Sequence, residues 1–337
     1  MTRSGKPIAP SIPVEQRRET NPHISIVVPM YNESDAIDVF FATLLPVMDD
    51  TGCSYDVLCV DDGSRDSTWQ KILGYHHKHP SINGLRLSRN FGKEQALTAG
   101  IDTISGDVVV VIDADLQEPP SLITAFIEKW RQGYDMVYGA RASRQSDSPV
   151  YQYMVKRFYS LFNWLSEQPI PPDAGDFRLL DRRLVEALRA MPERGRFMKA
   201  MFAWPGFSVC SVPFDRTERV TGTSKFNILK LFAFAIDGIT SFSIKPLRVA
   251  SVAGIAVSLV ALVLGLLLLV KTLVFGNDTP GWTSLMVVAL FLGGLQLMAL
   301  GLIGEYIGRL LLETKQRPLY FVAEATSASH SKTKSDT

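Results

Sequence analysis

Between residues 24 and 140, short apolar runs alternate with longer stretches whose apolar positions fall on one helical face. Ile24–Met30, Tyr55–Val60, Ile82–Leu87, Val108–Ile112 and Asp135–Gly139 read as strands. The segments between them read as helices: one to about Met48, one from Asp66-Ser67-Thr68, one through about Ile104 and one to about Arg131. This alternation predicts an α/β domain with a Rossmann-like, mostly parallel sheet. Val108–Ile112 is an unbroken β-branched apolar run, as expected of a central strand covered on both faces. Pro119 and Pro120 stop that strand and open the next helix. Ser34 is positioned to cap the first helix.

A different pattern follows. Val249–Val270 runs 22 residues without a charge, and Trp282–Gly304 runs 23. Each exceeds the roughly 20 residues a helix needs to cross a hydrocarbon core, so two transmembrane helices are predicted at about 249–271 and 282–304. The connecting stretch Phe275–Gly281 has no Lys or Arg, whereas Lys245, Arg248, Arg309, Lys315 and Arg317 flank the pair. That asymmetry places both flanks and the N-terminal domain in the cytoplasm, with the spans in the inner membrane. Trp282 reads as an interface anchor, and Lys271 can snorkel outward. Tyr151–Leu165, rich in aromatics, and the apolar Phe226–Ile244 suit helices lying in the headgroup layer. The predicted plan is a loose leader over 1–22, a domain over 23–225, an interfacial helix over 226–247, two spans within 248–312 and a cytoplasmic tail over 313–337. No secretory signal is read at the start. Gly293, Gly294, Gly301 and Gly304 allow close helix approach, including that of a second copy in a homo-oligomer.

The net charge of +1 gives no electrostatic case for nucleic acid. Cys53, Cys59 and Cys210 lack metal-site or disulfide-framework spacing and read as reduced thiols. His76, His77 and His79 precede Pro80 at an exposed helix end and read as surface residues.

The chemistry lies at the strand ends. Open α/β sheets bind ligands beyond the carboxyl ends of their strands. There the chain places Pro29, Tyr31, Asn32 and Glu33, then Asp61 and Asp62, then Asp113, Asp115 and Gln117. Asp113 and Asp115 are hard oxygen donors suited to holding Mg²⁺ or Mn²⁺ against a diphosphate. No G-x-G-x-x-G follows the first strand, so this is not the dinucleotide fingerprint. Arg89, Asn90 and Lys93 end another strand of the same edge, where they either touch a nucleotide or form a helix cap and a solvated face.

Val-Val-Pro-Met-Tyr-Asn-Glu, Val-Asp-Asp-Gly-Ser, Arg-Asn-Phe-Gly-Lys-Glu and Asp-Ala-Asp-Leu-Gln-Glu-Pro-Pro together resemble a family 2 glycosyltransferase of the GT-A fold. Asp173–Arg183, Arg219–Lys225 and the two apolar spans narrow the resemblance to the polyisoprenyl-phosphate glycosyltransferases, relatives of the dolichol-phosphate mannose synthases. Within that group the chain looks closest to the bactoprenol glucosyltransferases of O-antigen modification. The resemblance implies an inverting transfer of a hexose from a UDP-sugar to undecaprenyl or another polyprenyl phosphate. It implies that Pro29, Tyr31, Glu33, Asp62 and Ala114 line the nucleotide-sugar pocket, with Asp62 preferred over Asp61. Asp113, Asp115 and Gln117 would hold the metal, and Arg141 would face phosphate. Asp176, and after it Asp173, would serve the sugar and acceptor; Arg219, Ser224 and Lys225 would bind the diphosphate or the lipid phosphate. Asp176 could instead simply pair with Arg178 or Arg182. Mannose, galactose, N-acetylhexosamine or an aminoarabinose derivative would suit the same residues as glucose. A processive synthase is disfavoured because no Gln-x-x-Arg-Trp is present. A non-catalytic membrane scaffold is disfavoured because Asp113, Asp115 and Gln117 are all retained.

Overall fold

The computed structural model describes residues 21–141, 174–214, 245–275 and 281–326. The chain divides into two units: a sheet with its helices, which includes the chain from Arg317 onward, and a helical hairpin.

In the first unit, β1 (Ile24–Met30), β2 (Tyr55–Asp61), β3 (Ile82–Leu87) and β4 (Val108–Val111) pair in parallel. They are linked by α1 (Ile37–Asp50), α2 (Thr68–Lys78) and α3 (Lys93–Thr103). Then come α4 (Leu122–Arg131), β5 (Met136–Arg141), β6 (Ala174–Asp181), α5 (Arg182–Ala190), α6 (Met198–Ala203), β7 (Val209–Phe214) and, beyond the hairpin, β8 (Val322–Ala325). Among the described residues these strands form one eight-stranded sheet in the order β7-β5-β6-β4-β1-β2-β3-β8.

The sheet is mixed but mostly parallel, four of its seven pairings being parallel. β6 inserts antiparallel between β4 and β5, and β8 pairs antiparallel with β3. β6 carries Asp176, Arg178 and Asp181 amid its apolar residues, so its period does not announce a buried strand. Arg178 is nonetheless only 2% exposed. Its guanidinium donates to the Gly175 carbonyl at 2.6 Å and stacks 4.2 Å from the Phe202 ring.

β4 is covered on both faces. Val108 and Val110 join Phe40, Phe41, Phe126, Trp130 and Phe177 in the main core, while Val109 and Val111 are buried on the opposite face. On that opposite face Gly100 of α3 lies so close to β1 that an added Cβ would stand 2.3 Å from a Val27 methyl. Two local expectations also change. Ser34 does not cap α1: the N-cap is Ala36, and the Ser34 N–H is taken by Asp66. Pro119 and Pro120 lie in the turn before α4, their carbonyls accepting from Leu122 and Ile123.

The second unit contains α7 (Lys245–Phe275) and α8 (Trp282–Thr314). Large apolar residues are exposed along both, from Val252 and Leu259 to Leu273 in α7 and from Leu285 and Phe291 to Leu312 in α8. A helix this apolar and this exposed needs an apolar surrounding. Among the described residues, Phe291–Thr314 is long and apolar enough to cross a membrane.

Candidate active site

The site begins where β1 and β2 end. Asn32 adopts a left-handed backbone, φ 54°, which Asn tolerates better than most residues. Its N–H donates to Ser64 Oγ and its side-chain oxygen accepts from the Arg65 N–H, both at 2.9 Å. The Glu33 N–H donates to Thr68 Oγ1 at 2.9 Å. These bonds tie the β1–α1 turn to the β2–α2 turn.

The adjacent aspartates do different things. Asp61 is fully buried, accepts the Ser64 N–H at 2.9 Å and lies 3.3 Å from Arg86 Nε. Asp62 lines the cavity, and its two carboxylate oxygens accept from the Phe91 and Gly92 N–H groups at 2.7 and 2.8 Å. Burial pushes the Asp62 carboxyl upward, the two backbone donors pull it back, and the Asp61 charge adds to the rise. Gly63 makes this junction possible. Its φ is +67°, and a Cβ there would lie 2.4 Å from the Arg89 carbonyl carbon.

Past β4, the chain turns through Asp113, Ala114 and Asp115. Leu116 is left-handed, φ 54°, and the Gln117 N–H donates to Asp115 Oδ1 at 3.2 Å. β6 brings a third carboxylate. Val111 pairs with Arg178 in the antiparallel ladder, and continuing that register sets Asp176 opposite Asp113. Between them stands Lys93, the first residue of α3, with Nζ 2.7 Å from Asp113 Oδ2 and 2.6 Å from Asp176 Oδ2. Lys199 approaches the other Asp176 oxygen at 3.4 Å. Burial raises the Asp113 carboxyl against the pull of Lys93. At Asp176 burial is outweighed by Lys199 and Lys93, and the carboxyl is held below the usual range. Burial works against the Lys93 ammonium too, but Asp113 and Asp176 keep it charged.

A cavity of about 270 Å³ opens here. Pro29, Tyr31, Glu33, Asp62, Asp113, Ala114 and Asp115 line it, joined by Asn90, Gly92 and Lys93. Gln117 is buried, 5% exposed, and is not among the lining residues. Arg141 ends β5, with its side chain outside the description. Asp173, Arg219, Ser224, Lys225 and the stretches 151–165 and 226–244 lie outside the described residues. Asp176 pairs with Lys93 and Lys199, neither of which the sequence had offered as its partner. Lys93 was legible only as a strand-end residue of the right edge; nothing local marked Lys199.

Among the described residues, no group of three or more His, Cys, Asp or Glu could hold an ion by itself. Two carboxylates on one cavity wall fit a Mg²⁺-like ion that takes its remaining ligands from water and substrate phosphate. An α/β sheet edge of this kind, with aspartates at successive strand ends and no glycine-rich phosphate loop, agrees with the resemblance of the sequence to the GT-A glycosyltransferases.

The chain belongs to glycosyltransferase family 2. Residues 25–189 match that family, described as glycosyl transferase family 2, and residues 245–310 match the GtrB C-terminal hairpin. The chain is 49% identical over 301 residues to an uncharacterized glycosyltransferase of Synechocystis, covering 89% of this chain and 95% of that one. It is 44% identical over 299 residues to a bactoprenol glucosyl transferase of Shigella phage SfV, covering 89% and 97%. A prophage bactoprenol glucosyl transferase homolog of Escherichia coli is 42% identical over 299 residues, covering 89% and 98%.

Proposed function

We propose that this enzyme moves glucose from UDP-glucose to undecaprenyl phosphate, or a polyprenyl phosphate like it, at the cytoplasmic face of the inner membrane. The product is a lipid-linked sugar for later O-antigen-like modification of the cell surface. The observation that carries the reading is the convergence of Asp113, Asp115 and Lys93 on one cavity, with Asp176 held by Lys93 just outside its lining, in a chain 44% identical to a bactoprenol glucosyl transferase.

In this reading Pro29, Tyr31, Glu33, Asp62 and Ala114 hold the nucleotide. Asp113 and Asp115, with Gln117 behind them, hold Mg²⁺ or Mn²⁺, which would neutralise charge on the departing diphosphate. Arg141, Arg219, Ser224 and Lys225 supply further contacts to the diphosphate or the lipid phosphate. The phosphate monoester of the acceptor has a second pKa of about 6, so it is largely ionised at neutral pH and needs little help from a base. Its oxygen attacks C1 of the sugar, the bond from C1 to the diphosphate oxygen breaks, and UDP leaves with the electron pair, inverting the anomeric centre. Asp176, with Asp173, orients the acceptor and balances positive charge at C1.

Two membrane crossings, by α7 and α8, are part of the proposal. Connectivity supports an even number: the chain before the hairpin and β8 after it belong to the same sheet unit. The predicted domain plan is kept, with 226–247 in the headgroup layer. Gly293, Gly294, Gly301 and Gly304 have nothing within 4 Å of an added Cβ, leaving room for a second copy in a homo-oligomer.

The test is transfer of labelled sugar from UDP- and GDP-sugars to undecaprenyl phosphate in detergent, with Mg²⁺, Mn²⁺ or chelator. Metal-dependent transfer from UDP-glucose is expected. Transfer from a different donor would move the sugar assignment, and no transfer from any donor by folded protein would overturn the reading.

A further inference from the structure

Lys93 joins two carboxylates carried by strands that pair antiparallel, Asp113 after β4 and Asp176 on β6. It is not a loosely tethered surface cation. It opens α3 directly after Gly92, whose φ of 106° suits glycine, and the Gly92 N–H is held by Asp62. The nucleotide-side loop therefore sets where the ammonium stands. The two carboxylates depend on it unequally. Asp176 has Lys199 as a second partner, whereas the ion pair described for Asp113 is with Lys93.

We propose that Lys93 is a positioning residue that makes divalent-cation binding conditional on the nucleotide. This rests on the metal-dependent reading above. A bare cation approaching Asp113 and Asp115 meets an ammonium already seated on Asp113, and like charges this close repel strongly in a half-buried site. A nucleotide diphosphate changes the balance. Its oxygens draw the ammonium off Asp113 and offer the cation new ligands, so cation and nucleotide load together. Lys199 keeps Asp176 paired while Lys93 shifts. The coupling is reciprocal, so the cation must tighten the nucleotide by the same factor.

The experiment measures Mn²⁺ binding to the full chain in detergent, by the electron paramagnetic resonance signal of free Mn²⁺, with and without saturating UDP. Wild type, Lys93→Gln and Lys93→Arg are compared. Wild type should bind Mn²⁺ at least about tenfold more tightly with UDP than without. Lys93→Gln should bind Mn²⁺ without UDP at least about tenfold more tightly than wild type, with a smaller gain from UDP, and Lys93→Arg should behave as wild type. Unchanged or weaker Mn²⁺ binding by Lys93→Gln without UDP, while wild type binds with UDP, overturns the role of Lys93 and leaves the metal reading intact. Absence of Mn²⁺ binding by wild type even with UDP overturns the metal reading and this inference with it. Should Lys93→Gln fail to fold, Lys93→Met takes its place, and the wild-type arms alone still decide: equal Mn²⁺ affinity with and without UDP overturns the proposal.

Discussion

Glu324 accepts a hydrogen bond from Arg86 at 2.9 Å across 238 residues of sequence. Its other oxygen takes the Trp69 indole N–H at 3.1 Å, and Thr326 and Gly84 exchange two further bonds. Ahead of β8, the Phe321 carbonyl accepts from the Ser88 N–H, and its ring lies 6.4 Å from that of Phe91, whose own N–H is held by Asp62. The segment after the hairpin thus packs against the loop that carries the cavity residues Asn90 and Gly92. Truncation after Gln316, leaving the hairpin intact, should weaken UDP binding by roughly tenfold, about 1.4 kcal/mol by calorimetry. Glu324→Ala alone removes the Arg86 pair and the acceptor of the buried Trp69 indole and should cost about 1–3 kcal/mol of stability. Wild-type UDP affinity in the truncated protein would refute the coupling.

The Asp62 carboxylate organises the same loop. Asp62→Ala leaves the Phe91 and Gly92 N–H groups without their acceptors, a loss of about 1–3 kcal/mol. The KM for the nucleotide sugar should rise about tenfold or more, with a smaller fall in kcat. Gly63→Ala should lower the melting temperature of the sheet unit, since its Cβ would press on the Arg89 backbone at 2.4 Å. An unshifted melting temperature would show that the loop moves aside freely.

Asp115 lines the cavity, whereas Asp61 is sealed beneath it. Asp115→Ala should abolish at least about 99% of transfer, the scale seen when a group stabilising developing charge is removed, while the melting temperature stays close to wild type. Asp61→Ala should do the reverse, lowering stability because the Ser64 N–H loses its acceptor and Arg86 keeps only Glu324. Single-turnover assays beside thermal denaturation separate the two; unchanged turnover in Asp115→Ala would sink the metal assignment.

Tyr55 gives the pH dependence its clearest sign. Burial and then the Asp49 carboxylate, which accepts the phenol at 2.9 Å, push its pKa up to about 12. The unfolded phenol titrates near 10. The folded state therefore holds its proton longer, and the contribution to stability is complete below about pH 10 and is lost as pH rises toward 12. Wild type should lose stability faster than Tyr55→Phe across that window. The ultraviolet difference titration of the two proteins should show a phenolate appearing near pH 12, and one appearing near 10 would contradict the burial.

Much of the fold was legible because it is local. The boundaries of β1 and β3 coincide with their apolar runs, and β2 and β4 differ from theirs by one residue. β6 was hidden because Asp176 and Arg178 interrupt its apolar pattern and its partners lie far away in sequence. β7 alternates half-exposed positions and contains Pro213, and β8 is four exposed residues after a long apolar hairpin. Neither shows its pairing through its own period.

The sequence by itself determined that Pro29, Tyr31, Glu33, Asp62, Asp113 and Asp115 would share one edge. Parallel strands joined by crossovers all end on the same side of their sheet, so residues that follow apolar runs at like offsets converge without further information. Only the tertiary structure decided that Asp62 rather than Asp61 faces the cavity, that Lys93 rather than Arg178 or Arg182 pairs with Asp176, and that the chain after the hairpin closes the sheet. Those outcomes depend on an antiparallel partner for β4, a glycine-permitted approach of the Arg89 loop and a strand returning to β3. Each is a contact between distant segments, selected by the burial and pairing of the whole sheet rather than by any local preference.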